Sequence, residues 1–146
     1  MDMNQARFNM IEQQIRPWEV LDPQVLALLS TVRREDFVPL AHKALAFVDM
    51  EIPLGAAPNQ VMLAPRVQAR LLQDLAVLNT DKVLDVGTGS GFMAALLAHQ
   101  AASVLSLEID PALASQAQAK LQQAGVSNVT VRCADGSQGA AADGPF

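Results

Sequence analysis

Val83-Leu84-Asp85-Val86-Gly87-Thr88-Gly89-Ser90-Gly91 is the stretch that decides the fold. Its apolar residues, Val83, Leu84 and Val86, predict a short strand that runs into three glycines. An apolar helix is predicted from about Phe92 to His99. Glycine has no Cβ and accepts positive φ, so such a turn lets backbone come close to a nucleotide-like ligand. The next predicted strand, 103–108, ends on Glu108, 21 residues after Gly87. At that spacing an acid in a strand–helix–strand unit can reach a ribose hydroxyl.

Working outward, Asp110-Pro111 pairs an N-cap with a first-turn proline. The helix it opens carries Leu113, Ala117, Leu121 and Ala124 on one face, and Gly125 is a natural stop. Residues 128–133 predict a third strand, and 136–144 a Gly/Ala-rich loop. Strand–helix alternation implies a parallel sheet with right-handed crossovers. Upstream, residues 3–15 predict a helix with Phe8, Ile11 and Ile15 at helical spacing, interrupted by Arg16-Pro17-Trp18. Asp22-Pro23 opens a second helix that buries Val25, Leu26, Leu29 and Val32. Residues 36–58 are expected to be irregular, with Pro39, Pro53, Gly55 and Pro58 as breakers. Pro65 starts a helix with Val67, Leu71, Leu72, Leu75 and Leu78 on one side.

The expected class is therefore α/β: a Rossmann-like, doubly wound parallel sheet, incomplete at three strands and preceded by an N-terminal helical region. Residues 1–64 read as the helical and substrate-loop region, and 65–146 as the first half of the nucleoside-binding domain. Three strands are few for this architecture, so the chain reads as the first part of a longer protein. The strand at 83–86 would then have an open edge, and open edges pair with other chains. A homodimer through that edge, a swapped assembly or poor solubility is expected.

Composition narrows the function classes. The 146 residues are 51% hydrophobic and 17% charged, which is globular rather than disordered. Ten basic against fifteen acidic residues leave a net charge of −5, which disfavours a nucleic-acid partner. No apolar run suggests a membrane span. The single cysteine, Cys133, fits a reducing cytoplasm and a quiet position near a strand end. His42 and His99 are far apart and no Cys/His cluster has ligand spacing, so no metal site is expected. Trp18 reads as a packing residue.

The glycines are spaced G-x-G-x-G, and the third place of the dinucleotide fingerprint G-x-G-x-x-G falls on Phe92, which disfavours a nicotinamide dehydrogenase. Asp85 to Gly91 resembles motif I of the S-adenosylmethionine-dependent methyltransferases. Glu108 matches the acid that holds the ribose in that family, and Ala134-Asp135-Gly136 the segment beside the adenine. Val32 to Pro39, Ala46 to Asp49 and Ile52 to Gly55 resemble the N-terminal region of the protein-L-isoaspartate O-methyltransferases. The resemblance runs from about residue 8 to the end.

It implies S-adenosyl-L-methionine as cofactor, held by Asp85, Gly87, Thr88, Gly89, Gly91, Glu108, Ile109, Asp135 and Gly136. It also implies an isoaspartyl protein or peptide as methyl acceptor. The family's acceptor loop reads Gly-Gln-Thr-Ile-Ser-Gln-Pro. Here Gln60 and Pro65 keep register, but Val61 and Leu63 replace the two hydroxyl residues, and Phe47 stands where a tyrosine is common. Gln60 and Leu63 are the loop candidates for a catalytic role, and Asp49 is either a structural cap or a substrate contact. The altered loop leaves a non-catalytic or acceptor-shifted relative as the alternative.

Overall fold

The computed structural model describes residues 2–146, which form two compact units divided after Ala76. In the first unit, α1 (Met3–Met10) starts where the Asp2 carboxylate accepts from the N–H groups of Asn4 and Gln5. The predicted helix over 3–15 changes type on the way. Ile11–Ile15 is a π-turn, closed by the Arg16 N–H on the Ile11 carbonyl, and Arg16–Trp18 is a 3-10 turn. Pro17 has no N–H for the carbonyl of Gln13, so a regular ladder cannot run on past it. The wider turn keeps both Ile11 and Ile15 buried. Glu19 then takes a left-handed conformation, with φ 60°.

The second helix, α2 (Pro23–Thr31), has the predicted cap, with Asp22 accepting from the Gln24 N–H, and buries Val25, Leu26 and Leu29. Two 3-10 turns follow, Arg34–Phe37 and Leu40–Leu45. The segment expected to be irregular contains half of a small hairpin. Strand β1 (Ile52–Pro53) pairs antiparallel with β2 (Val61–Met62), in the register Ile52↔Met62 and Pro53↔Val61. Ile52 and Met62 are buried, which fixes the hairpin despite Pro53.

Helix α3 (Pro65–Leu75) ends at Ala76 in a left-handed cap with φ 48°. Of the predicted stripe, Leu72 is buried as expected, but Leu71, Leu75 and, beyond the helix, Leu78 are exposed, and Gln68 and Ala69 lie inward with Leu72 instead. Gln68 can lie inside because Arg34, itself 1% exposed, donates to its side-chain oxygen. A buried ion pair joins Arg7 to Glu35.

In the second unit the strands follow the prediction closely. They are β3 (Lys82–Val86), β4 (Ser103–Glu108) and β5 (Val129–Cys133), parallel, in the order β3-β4-β5. Leu84 pairs with Leu105 and Leu105 with Thr130. The central strand β4 is buried along its length, from Val104 to Glu108. Helices α4 (Phe92–Gln100) and α5 (Pro111–Gln123) connect the strands. Asp110 caps α5 on the Leu113 N–H, and Gly125 follows it at φ 74°.

The segment expected to be a loop holds two 3-10 turns, Gly136–Gln138 and Ala141–Asp143. Asp143 ties the second back to the sheet through an ion pair with Arg132 and a carbonyl bond from the Lys82 ammonium. Strand β3 is at the edge of the sheet, and its Val86 is 58% exposed. Among the described residues, no helix is long and apolar enough to cross a membrane.

Candidate cofactor and acceptor-loop site

The glycine turn is built where β3 hands over to α4. Gly87, Gly89 and Gly91 all have positive φ, at 88°, 55° and 90°. A Cβ on Gly87 would meet nothing within 4 Å, so this part of the turn faces open space. A Cβ on Gly91 would come within 3.3 Å of the Ala117 Cβ, so Gly91 lets α4 start close against α5. The N–H groups of Gly87 and Thr88 both bond the Leu107 carbonyl, which pins the turn to the next strand.

Beneath the turn lies a chain of side-chain hydrogen bonds. The Ser106 hydroxyl donates to Asp85 Oδ2 at 2.7 Å and meets the Thr88 hydroxyl at 2.5 Å. Ser106 and Thr88 are buried. Burial pushes the Asp85 carboxyl up from the ordinary carboxylate range; the Ser106 bond works the other way, and the nearby Glu108 charge adds to the rise. In the sequence, only its polarity within Val-Leu-Ser-Leu marks Ser106 out. Thr88 turns its hydroxyl inward, so its side chain serves the scaffold.

Glu108 is 6% exposed at the end of β4. Its two oxygens take separate partners: Oε1 accepts the Gly89 N–H at 2.8 Å and Oε2 the Asp110 N–H at 3.0 Å. The carboxylate is thereby oriented between the glycine turn and the start of α5. Each of its oxygens keeps a further lone pair for a hydroxyl.

Ile109, the next residue, is 67% exposed. Asp135 follows β5 and accepts from the N–H and hydroxyl of Ser137; these bonds lower its pKa. A Cβ on Gly136 would fall 2.3 Å from a Val86 methyl, so the loop after β5 packs directly on the end of β3. Asp85, Gly87, Thr88, Gly89, Gly91 and Glu108 thus meet at one end of the sheet, with Asp135 and Gly136 beside them through Val86. Cys133 is exposed, its thiol 3.8 Å from the Ile109 carbonyl, in keeping with a quiet strand-end position.

The loop candidates lie in the first unit. Gln60 folds back over its own hairpin: a Cβ on Gly55 would overlap its side-chain oxygen, and Leu54 bonds the Gln60 carbonyl. The Leu63 carbonyl is held by Arg34 at 3.0 Å, and a further Arg34 bond takes the Ala46 carbonyl at 2.7 Å. One buried guanidinium therefore fixes both the segment before Phe47 and the segment after Met62. Burial lowers the Arg34 pKa to about 10, so it remains cationic at neutral pH. Asp49 is not a helix cap; it faces Arg66 at 3.3 Å. Trp18 is 41% exposed, with the Arg66 guanidinium over its ring, and so is less enclosed than expected.

Comparison with known proteins gives this arrangement a lineage. The profile of the family described as "Protein-L-isoaspartate(D-aspartate) O-methyltransferase (PCMT)" matches residues 5–146. Protein-L-isoaspartate O-methyltransferase 2 of Marinobacter nauticus is 37% identical over 99% of this chain and 65% of its own length. The Koribacter versatilis protein-L-isoaspartate O-methyltransferase is 39% identical over 96% of this chain and 62% of its own length. The chain thus spans a little under two thirds of the length of these relatives.

Among solved structures, a protein-L-isoaspartate O-methyltransferase superposes with a TM-score of 0.74 at 18% identity, over 99% of this chain and 45% of that one. A candidate protein-L-isoaspartate O-methyltransferase from Plasmodium falciparum, in complex with S-adenosyl-L-homocysteine, gives 0.64 at 16% identity, over 92% of this chain and 63% of that one. These likenesses carry the fold, and the profile carries the lineage. The chain belongs to the protein-L-isoaspartate(D-aspartate) O-methyltransferase family.

Proposed function

We propose that the chain binds S-adenosyl-L-methionine and serves methyl transfer to the carboxylate of isoaspartyl residues in damaged proteins. The observation that carries this reading is Glu108, buried and oriented by two backbone N–H groups at the lip of a turn that has open space over Gly87. A nucleoside fits these groups. The free lone pairs of Glu108 suit a ribose diol, and a turn without Cβ atoms at Gly87 and Gly89 admits a ligand close to the backbone. Asp85, Gly91, Ile109, Asp135 and Gly136 complete the proposed cofactor set, with Thr88 contributing through its backbone.

When bound, the cofactor would supply a methyl group already activated on a sulfonium. The acceptor, a carboxylate, is a nucleophile at neutral pH, so the chain need not provide a general base. Its task is to position and to exclude water, and positioning of this kind supplies about 7–11 kcal/mol. In the first unit, Arg34 holds the carbonyls of Leu63 and Ala46 and so sets the path of the acceptor loop. Val61 and Leu63 give that loop an apolar lining where hydroxyls are usual in the family.

Calorimetric titration of S-adenosyl-L-homocysteine into this chain tests the reading. Micromolar binding that is lost in Glu108→Ala supports it; no binding by the folded chain overturns it. The expected setting is cytoplasmic repair of aged proteins. Self-association through the β3 edge is also proposed, and a monodisperse monomer in light scattering would count against it.

A further inference from the structure

Trp18, Asp49, Arg66 and Arg70 form a cluster on the first unit that the cofactor site does not use. The Arg66 guanidinium lies 4.5 Å from the centroid of the Trp18 ring. Its Nε is 3.3 Å from Asp49 Oδ1, without hydrogen-bond geometry. Arg70, one turn further along α3, donates to the Trp18 carbonyl at 3.0 Å and pairs with Asp74. Trp18 is therefore held at its backbone by one arginine and covered on its ring by the other.

Among the described residues, none engages Nη1 or Nη2 of Arg66. The side chain is 38% exposed. The ring occupies one face of the guanidinium and Asp49 its Nε side, so the remaining in-plane edge presents two parallel N–H donors. That fork matches a carboxylate bidentately, and stacking removes much of the side-chain freedom that docking would otherwise cost. The ring also favours an arginine that is weakly hydrated and ready to pair.

We propose that the Arg66–Trp18 stack is a carboxylate subsite for the acceptor polypeptide, which binds an acidic residue flanking the one to be methylated. This rests on the reading of the chain as part of a protein carboxyl methyltransferase. The carboxylate bound here is not the reacting one. A guanidinium paired with the nucleophilic oxygens would withdraw their charge and slow attack on the methyl group. Asp49 sharpens the choice, because its unpaired oxygen repels a second acid that approaches away from the fork.

The test exploits the chain's single tryptophan and lack of tyrosine, which make Trp18 the reporter of its own site. Two isoaspartyl hexapeptides that differ only by Glu or Gln next to the isoaspartyl residue are titrated into the whole chain, with Trp18 emission as readout. The Glu peptide is expected to bind about 5-fold more tightly, the upper range for a solvent-accessible ion pair. It should also change the Trp18 emission.

Arg66→Gln should abolish the preference while leaving S-adenosyl-L-homocysteine binding intact, and Arg66→Lys should restore it only in part, since an ammonium lacks the fork. Equal affinity for the two peptides, or a preference that survives in Arg66→Gln, overturns the proposal. So does failure of both peptides to bind. Loss of cofactor binding in the wild-type chain counts instead against the functional reading, because the peptide titration is scored separately.

Discussion

Arg34→Met removes the guanidinium that ties three segments of the first unit together. Its Nε bonds the Ala46 carbonyl at 2.7 Å, Nη2 bonds the Leu63 carbonyl at 3.0 Å, and Nη1 bonds the Gln68 side-chain oxygen. Methionine matches much of the volume but offers no donor. Each acceptor left unpaired costs about 2 kcal/mol, so three cost about 6 kcal/mol. Against this stands the relief of a buried charge. The fall in the Arg34 pKa to about 10 corresponds to a burial penalty of about 3 kcal/mol.

The lost acceptor bonds outweigh that relief, and the net expectation is a loss of about 3 kcal/mol, a large share of a small unit's stability. At about 4–8 °C per kcal/mol for a unit of this size, the midpoint should fall by roughly 10–25 °C. Urea unfolding followed by Trp18 emission reads the first unit directly, since Trp18 is the only tryptophan. Arg34→Lys keeps the charge but cannot span all three acceptors, and should lose nearly as much. A change below about 1 kcal/mol in Arg34→Met would refute the claim that these bonds organise the acceptor loop.

Two further substitutions probe the second unit. Glu108→Gln leaves one acceptor oxygen for two backbone donors, so either Gly89 or Asp110 loses its partner; calorimetric unfolding should show a loss of about 1–3 kcal/mol. An unchanged midpoint would mean that the glycine turn does not depend on this carboxylate. For Asp85 the sign follows from its raised pKa. Above the unfolded value of 3.8, the folded chain holds the proton longer than the unfolded one. The stability this group contributes is full below that value and is lost as pH rises through the folded pKa. Asp85→Asn keeps an oxygen for the Ser106 hydroxyl and removes the charge, so its melting point should exceed that of the parent at pH 7 but not at pH 3.5. The same difference at both pH values would rule this out.

The second unit was legible because its signals are local. A strand, a glycine turn and a proline-led helix follow one another within a few residues, and β3, β4, α4 and α5 fall where their spacing puts them. The polar chain beneath the turn was not legible. Ser106 acts only because Asp85 and Thr88 come to it from another strand and from the turn, contacts that periodicity along one segment does not encode. In the first unit, the leucines of α3 misled because Gln68 takes an inward place once Arg34 is there to meet it. The hairpin of Ile52 and Met62 was hidden by its prolines and its brevity, and Trp18 by the assumption that a large ring lies inside.

The π-turn at Ile11–Ile15 works as an angular offset. One residue more than an α-helical turn needs is absorbed there, so everything after it is rotated about the helix axis relative to an uninterrupted helix. Winding the same sequence as a regular α-helix, without the offset, would swing the following residues by about 100°. The isoleucines could still find apolar neighbours, but the indole of Trp18 would leave the guanidinium of Arg66. The extra residue taken up in the turn is therefore what aims Trp18 at its aromatic seat on the protein's surface.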